Sequence, residues 1–463
     1  MKTGKKRYKN FSQRISPNRG FLSPDPLCLA VNTSGFFFGE TEANRSDTYI
    51  GIPQGTDGNI LVMGGNGSGK SSGIVKPTLE TWQGAICATD IKGELSEHYA
   101  KWCQYATQHG IPTRPYIIFD PTRPDGVSYN PFGWLALDDE VNRVDNVNDI
   151  VQAIIPEIPN DCHPFWIQAE RSVLEAALLY YSRLGLSFNE SVCMLLTTGV
   201  AALSQELHCN GCEEEKLLLG NLEPMNSETL TSIEFSLRGH LHPFAINPHI
   251  RHGFRGAREN AVCFHWDDLE RKNIFLRVPQ DKIGLWGSAI NLMYAQLLRY
   301  LERRTERYSG EGQNNVQTLL LMDEFPRFGK LELIPDALAT LRSKGVNICL
   351  IVQSIAQLDQ LYGAAGRRIL MDNCQYQVIL RANDAETQDI LCRLIGSTQV
   401  VQESVSQNVT ASNHKVSYST HRSIGRELKL FPHELAMLKD IILLSPHGSS
   451  LVKKHLPHGN SAL

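Results

Sequence analysis

Gly64-Gly65-Asn66-Gly67-Ser68-Gly69-Lys70-Ser71 follows a short apolar run, Asn59-Ile-Leu-Val-Met63, and opens a segment with no strand alternation. The natural parse is strand, loop, helix. Glycine, four residues, glycine, lysine and serine is the Walker A spacing. Glycines let the backbone wrap closely round phosphates and turn its N–H groups inward, where the following helix N-terminus adds its positive dipole. Lys70 then reaches the β and γ phosphates of ATP, and the Ser71 hydroxyl ligates Mg2+. The expected nucleotide-binding set runs from Gly64 through Ser71 to Ser72.

Thr318-Leu-Leu-Leu-Met322 is a second apolar run, and Asp323-Glu324 closes it. An acidic pair at a strand end is unremarkable by itself, but paired with Walker A it reads as Walker B. Asp323 is the expected magnesium carboxylate, directly or through water, and Glu324 the base that orients and deprotonates the attacking water. A second acid at this position favours hydrolysis over transfer to an acceptor. Gln353 ends another apolar run, Ile348 to Val352. A polar residue at the C-terminal edge of a parallel strand faces the crevice where α/β sheets bind ligands, so Gln353 is a candidate sensor of the γ phosphate.

Further buried-strand candidates are Ala85 to Ala88, Tyr116 to Phe119, Ile274 to Val278, Gln377 to Leu380 and Ile441 to Leu444, with helical patterns between most of them. Such alternation implies an α/β fold with a mainly parallel sheet covered on both faces. From about residue 150 to 261 the alternation gives way to long amphipathic stretches such as Trp166 to Arg183 and Asn226 to Leu241, the pattern of an all-α insertion. Residues 1–50 read as a basic tail and lead-in, 51–149 and 262–463 as the two parts of the nucleotide-binding domain. Residues 397–424, rich in Ser, Thr, Gln and Asn, read as a long surface loop.

At 463 residues, 42% of them hydrophobic, the chain has ample material for a packed core. A net charge of −4 excludes a protein that is basic all over and confines any nucleic-acid contact to local patches. One such patch is the N-terminus, where Lys2, Lys5, Lys6, Arg7, Lys9, Arg14 and Arg19 all precede the first acid, Asp25. The 11 cysteines are scattered, which points to reduced thiols in a cytoplasmic compartment. No stretch approaches the roughly 20 apolar residues of a membrane span. Cys209 and Cys212 with His208 supply only three close ligands, too few for a zinc site, and His240 and His242 lack a third ligand. Trp166, Tyr180 and Tyr181 fit the core of the helical insertion better than a base-stacking platform.

With these residues in place, the chain resembles the conjugative type IV coupling proteins, the TraG/TraD-like ATPases, from about residue 50 to 455. Beyond Walker A, the matching segments are Thr89-Asp-Ile-Lys-Gly-Glu-Leu95, Tyr129-Asn-Pro-Phe132, Leu321-Met-Asp-Glu-Phe-Pro-Arg-Phe-Gly329, Leu341-Arg-Ser-Lys-Gly-Val346 and Ile351-Val-Gln-Ser354. The resemblance implies a RecA-like P-loop core interrupted by an all-α domain, working as a homo-hexamer that moves single-stranded DNA with its relaxase, or relaxosome, to the proteins of a type IV secretion channel. It also implies that Arg342 is the arginine reaching into a neighbouring subunit's ATP and Gln353 the glutamine of the third motif. Family members usually begin with membrane-spanning helices. Here a basic tail suggests a separate membrane anchor protein, contact with anionic lipid, or a shortened chain, and a peripheral position at the inner face of the membrane. Two alternatives stand beside it: a DNA translocase of the FtsK/HerA kind, which shares the RecA-like core, or an adaptor that recruits secretion substrates through the helical domain and uses ATP as an assembly switch.

Overall fold

The computed structural model describes residues 19–41, 47–133, 140–156, 164–220, 227–256, 261–309, 315–410 and 415–455. The basic residues from Lys2 to Arg14 lie outside them. The strands are β1 (Cys28–Ala30), β2 (Gly35–Glu40), β3 (Thr48–Pro53), β4 (Ile60–Met63), β5 (Ala85–Asp90), β6 (Tyr116–Phe119), β7 (Ser128–Tyr129), β8 (Cys263–Phe264), β9 (Asn273–Arg277), β10 (Thr318–Met322), β11 (Val346–Val352), β12 (Tyr376–Ile379), β13 (Ser397–Thr410), β14 (Lys415–Leu428), β15 (Ile441–Ser445) and β16 (Gly448–Val452).

Nine of them form one sheet in the order β16-β15-β12-β4-β11-β10-β5-β9-β6. From β12 to β6 every neighbouring pair is parallel, and β15 and β16 close the other edge antiparallel. The apolar runs are continuous because both faces are covered, and their two-residue period shares each strand between two cores. Leu320 and Met322 pack on one side with Ile348, Leu350 and Val352. Leu319 and Leu321 pack on the other with Cys349, Ile351, Ile60 and Val62. Cutting Leu320, 1% exposed, to alanine would cost about 2–5 kcal/mol of stability.

Between Tyr129 and Cys263 the described residues hold only helices, the longest being Pro164–Arg183 and Ser227–Ile246. Tyr180 and Tyr181 are buried there. Trp166 is not: it lies in the first turn of its helix, ahead of the buried run that starts at Ala169, and stacks edge-on against Phe165 at 5.5 Å. His240 pairs with Glu170 at 3.4 Å, and Cys209 and Cys212 are exposed.

Two segments differ from their sequence reading. Residues 397–410 and 415–424 are not a loop. They belong to a hairpin in which β13 and β14 pair along their whole length, from Ser397 opposite Leu428 to Thr410 opposite Lys415. The ribbon forms a sheet of its own, and its sequence shows no apolar period. The lead-in to the first domain holds β1, β3 and β2 as a small antiparallel sheet. Phe36, Phe38, Ile50 and Ile52 bury it on the helix that follows Walker A, where the Phe37 N–H donates to Thr78 Oγ1 at 3.2 Å and Thr81 Oγ1 donates to the Gly35 carbonyl at 2.8 Å. Among the described residues every cysteine is free and no helix is long and apolar enough to cross a membrane.

Candidate functional site

The sheet order sets the site. β4 carries the glycine loop, β10 carries the acidic pair, and β11 lies between them with Gln353 at its end. Val352 aligns with Met63, and Met322 with Leu350, so the three strands stop at one edge. The Gly64 N–H donates to the Val352 carbonyl at 3.2 Å and the Gly65 N–H to the Arg381 carbonyl at 2.8 Å, which tie the loop to both neighbouring strands. Gly67 and Gly69 have φ of 66° and 88°, the left-handed region that residues with a Cβ avoid. The helix then runs from Ser71 to Thr81, its first turn widened so that the Lys76 N–H reaches back to the Ser71 carbonyl.

Residues 66–72 together with Lys76, Lys92, Glu94, Asp323 and Glu324 line one open cleft. Lys70 is 9% exposed, and its ammonium donates to the Gly64 and Gly65 carbonyls at 2.5 and 3.1 Å. Burial pulls its pKa below the ordinary lysine value, against the opposing pull of Asp323 and Glu324. Burial, with the charge of Glu324 beside it, pushes the Asp323 carboxyl up to about 6. A divalent cation would relieve that crowding of negative charge, and the inward-turned glycine backbone leaves room for phosphates. The residues present therefore fit a metal–nucleotide pair.

Glu324 is the one described non-glycine residue with positive φ, at 50°. Its N–H donates to Asp323 Oδ1 at 3.0 Å, its Oε2 lies 2.6 Å from Arg327 Nε, and its Oε1 lies 3.4 Å from Lys92 Nζ. Side-chain and backbone restraints thus hold the carboxylate in the lining of the cleft. Strain of this kind persists only where the surroundings over-determine it, and such places cluster at functional sites.

The structure brings together residues 66–72, Asp323 and Glu324. Gly64 and Gly65 form the loop's stem, and Gln353 sits at the same edge without lining the cleft, its N–H donating to the Gln357 side-chain oxygen at 3.1 Å. Arg342 stands elsewhere. It is exposed in the turn Leu341–Lys344 that precedes β11, at the sheet edge opposite the cleft, and the strand alone separates the two edges by about 20 Å. Burial raises the Asp57 carboxyl pKa there, with Arg307 and Arg342 pulling the other way. Arg342 cannot reach the cleft of its own chain.

Lys92, Glu94 and Lys76 are cleft residues to which the sequence reading gave no role. The signal was present for Lys92: it comes just after β5, the neighbour of β10, within the Asp-Ile-Lys-Gly-Glu segment. Asp90 caps the next helix through the Leu95 and Ser96 N–H groups at 3.2 and 2.8 Å, which fixes the turn that carries Lys92.

A parallel sheet with a glycine phosphate loop and an acidic pair at one edge defines a P-loop nucleotide-binding protein of the α/β class. More narrowly, the model of the family Type IV secretory system Conjugative DNA transfer matches residues 29–446, and the chain belongs to that family. Conjugal transfer protein TraG of Escherichia coli is 25% identical over 427 residues, covering 86% of this chain and 66% of that protein. Protein VirD4 of Agrobacterium fabrum is 25% identical over 435 residues, covering 91% and 61%. The chain thus spans less than two thirds of the length of these curated relatives. Among solved structures, the plasmid coupling protein TrwB in complex with ADP and Mg2+ superposes with a TM-score of 0.65 at 18% identity, covering 94% of this chain and 93% of that one. The trigonal form of TrwBdeltaN70 in complex with sulphate gives 0.66 at 18%, with coverage of 95% and 94%. At such identity the likeness is one of fold: the RecA-like arrangement expected from the sequence.

Proposed function

We propose that the chain is an ATP-hydrolysing coupling protein that delivers or pumps single-stranded DNA, with its relaxase, to a type IV secretion channel. One observation carries this reading: the buried Lys70 and the Asp323–Glu324 pair meet in a single cleft on the glycine loop. Membership of a conjugative DNA-transfer family and the nucleotide complex of TrwB support it.

In this reading Gly64 to Ser72 cradle the phosphates of ATP, and Lys70 leaves the Gly64 and Gly65 carbonyls for the β and γ phosphates. Ser71 and Asp323 hold Mg2+, which when bound supplies positive charge to the phosphate oxygens. Glu324 takes a proton from the attacking water, and Gln353 senses the γ phosphate from the end of β11. Arg342 serves the site of a neighbouring copy, as its place on the far edge of the sheet supports. Six copies in a ring fit a motor that encloses its DNA, and the helical insertion is the receiving surface for the relaxase.

The test is the ATPase rate of the purified chain with and without single-stranded DNA, beside Lys70→Ala as the blank. Hydrolysis stimulated by DNA and absent from the blank is expected. Tight nucleotide binding without turnover would replace the motor with an adaptor that uses ATP as an assembly switch.

A further inference from the structure

We propose that Lys454 is a positioning residue of the nucleotide site, holding the phosphate loop through the Ser68 carbonyl in the shape that accepts a nucleoside diphosphate or triphosphate. This rests on the nucleotide reading above and assigns a residue that no motif contains.

After β16 the chain passes beside the start of the helix that follows Walker A, with Lys454 and the His455 carbonyl next to Gly73. Its neighbours are pinned on either side of Lys454. The Lys453 ammonium lies 2.6 Å from Glu40 Oε2, and the Glu40 N–H donates to the Lys453 carbonyl at 2.8 Å. His455 Nδ1 lies 3.0 Å from Glu40 Oε1, and its ring meets Phe37 edge-on at 5.8 Å. Successive side chains of an extended segment point to opposite sides. With Lys453 and His455 both turned to Glu40, Lys454 is left facing the loop, and its ammonium donates to the Ser68 carbonyl.

The fit is close. A Cβ on Gly69 would collide with both Lys454 Cε and Nζ, so glycine at 69 serves two ends, its left-handed backbone and room for this lysine. A second cation acts alike from the end of β12: Arg381 Nη2 lies 3.4 Å from the Asn66 carbonyl, while the Arg381 carbonyl receives the Gly65 N–H.

The physical consequence comes from the planarity of the peptide bond. The Ser68 carbonyl and the Gly69 N–H belong to one peptide plane and point in opposite directions, as do the Asn66 carbonyl and the Gly67 N–H. A cation that fixes the carbonyl outward fixes the N–H inward and polarises it. Lys454 and Arg381 thus aim the N–H groups of the two left-handed glycines, Gly69 and Gly67, into the space that phosphates would fill. Burial and Arg381 draw the Lys454 pKa below the usual lysine value, with Asp440 opposing, so the two cations repel each other, and a bound anion would relieve that repulsion.

The experiment measures Mg·ADP binding by titration calorimetry on the full chain, with Lys454→Met, Lys454→Gln and Lys454→Arg beside wild type. Loss of a charge-assisted bond predicts a dissociation constant raised about tenfold to a hundredfold in the Met and Gln variants, with most of the loss recovered in Lys454→Arg. Single-turnover hydrolysis at saturating ATP should stay near wild type, a split between binding and chemistry that general unfolding would not produce. If Lys454→Met fails to fold, the Gln and Arg variants decide. Wild-type affinity in the Met or Gln variant, or equal weakening in Lys454→Arg, overturns the proposal alone. Failure of the wild-type chain to bind Mg·ADP overturns the nucleotide reading with it.

Discussion

Arg327 Nε stands 2.6 Å from Glu324 Oε2, and Glu324 holds a left-handed backbone with φ of 50°. The chain therefore keeps this carboxylate in place at some conformational expense, typically about 1–3 kcal/mol for a residue in a sparsely populated region. Glu324→Gln preserves the shape and the hydrogen-bonding oxygen while removing the base. Hydrolysis should fall by about 10²–10⁴-fold with nucleotide affinity nearly unchanged. Steady-state turnover and ADP titration on the same sample check this, and equal hydrolysis by the variant would make Glu324 a bystander.

Lys70 is buried and its pKa is lowered, so the folded chain gains little from its charge while the nucleotide is absent. Lys70→Ala should abolish hydrolysis yet shift the thermal midpoint by a few degrees at most. A collapse of the fold would mean that the Gly64 and Gly65 carbonyls depend on this lysine far more than their two hydrogen bonds suggest.

Asp323 gives a pH dependence with a definite sign. Its carboxyl is raised to about 6 in the folded chain, above the ordinary carboxylate range, so the charged form opposes folding above pH 6. That opposition lifts as pH falls through 6 towards 4. Metal binding needs the carboxylate, so the advantage of Mg·ADP over ADP alone should shrink about tenfold per pH unit below 6. Calorimetry at pH 7.5 and 5 checks this, with Asp323→Asn expected to show no such slope. Equal advantage at both pH values would remove Asp323 from the metal site.

The ribbon of β13 and β14 pairs with itself, and Val401 and Ile424, directly opposite each other on it, are both exposed at 61% and 74%. Replacing residues 399–426 by an Asn-Gly turn between Thr398 and Glu427 should leave nucleotide affinity intact and the thermal midpoint within a few degrees. Loss of nucleotide binding would show that the ribbon supports the cleft.

The large sheet was legible because buried parallel strands are continuous apolar runs. Each of the eight runs marked in the sequence overlaps one of its strands, and Thr318 to Met322 and Tyr116 to Phe119 match to the residue. β16 was missed, since Gly448-Ser-Ser-Leu-Val452 is half polar. So was the small sheet of β1 to β3, where strands of six residues or fewer carry too little pattern to outweigh their glycines. The loop, the acidic pair and Gln353 were readable from local spacing, because the end of a strand fixes where the next residues stand. Lys454 and Arg381 were not, since their importance comes from the path of the chain back to Ser68 and Asn66, which no local pattern records. The ribbon hid for a third reason: residues 397–410 and 415–424 are rich in Ser, Thr, Gln and Asn and carry no apolar period, which leaves only their Val and Thr content as a signal.

If a second copy of the chain completes the cleft, the hydrolysis rate of Arg342→Ala must show it. This variant should bind ATP as wild type does and hydrolyse it about 10³–10⁵-fold more slowly, since the arginine stabilises charge only on the transferring phosphoryl group. Mixed with the Lys70→Ala chain in assembled particles, it should regain hydrolysis, because some interfaces then pair an intact Lys70 with an intact Arg342. Near-wild-type hydrolysis by Arg342→Ala alone would contradict a cleft shared between two copies.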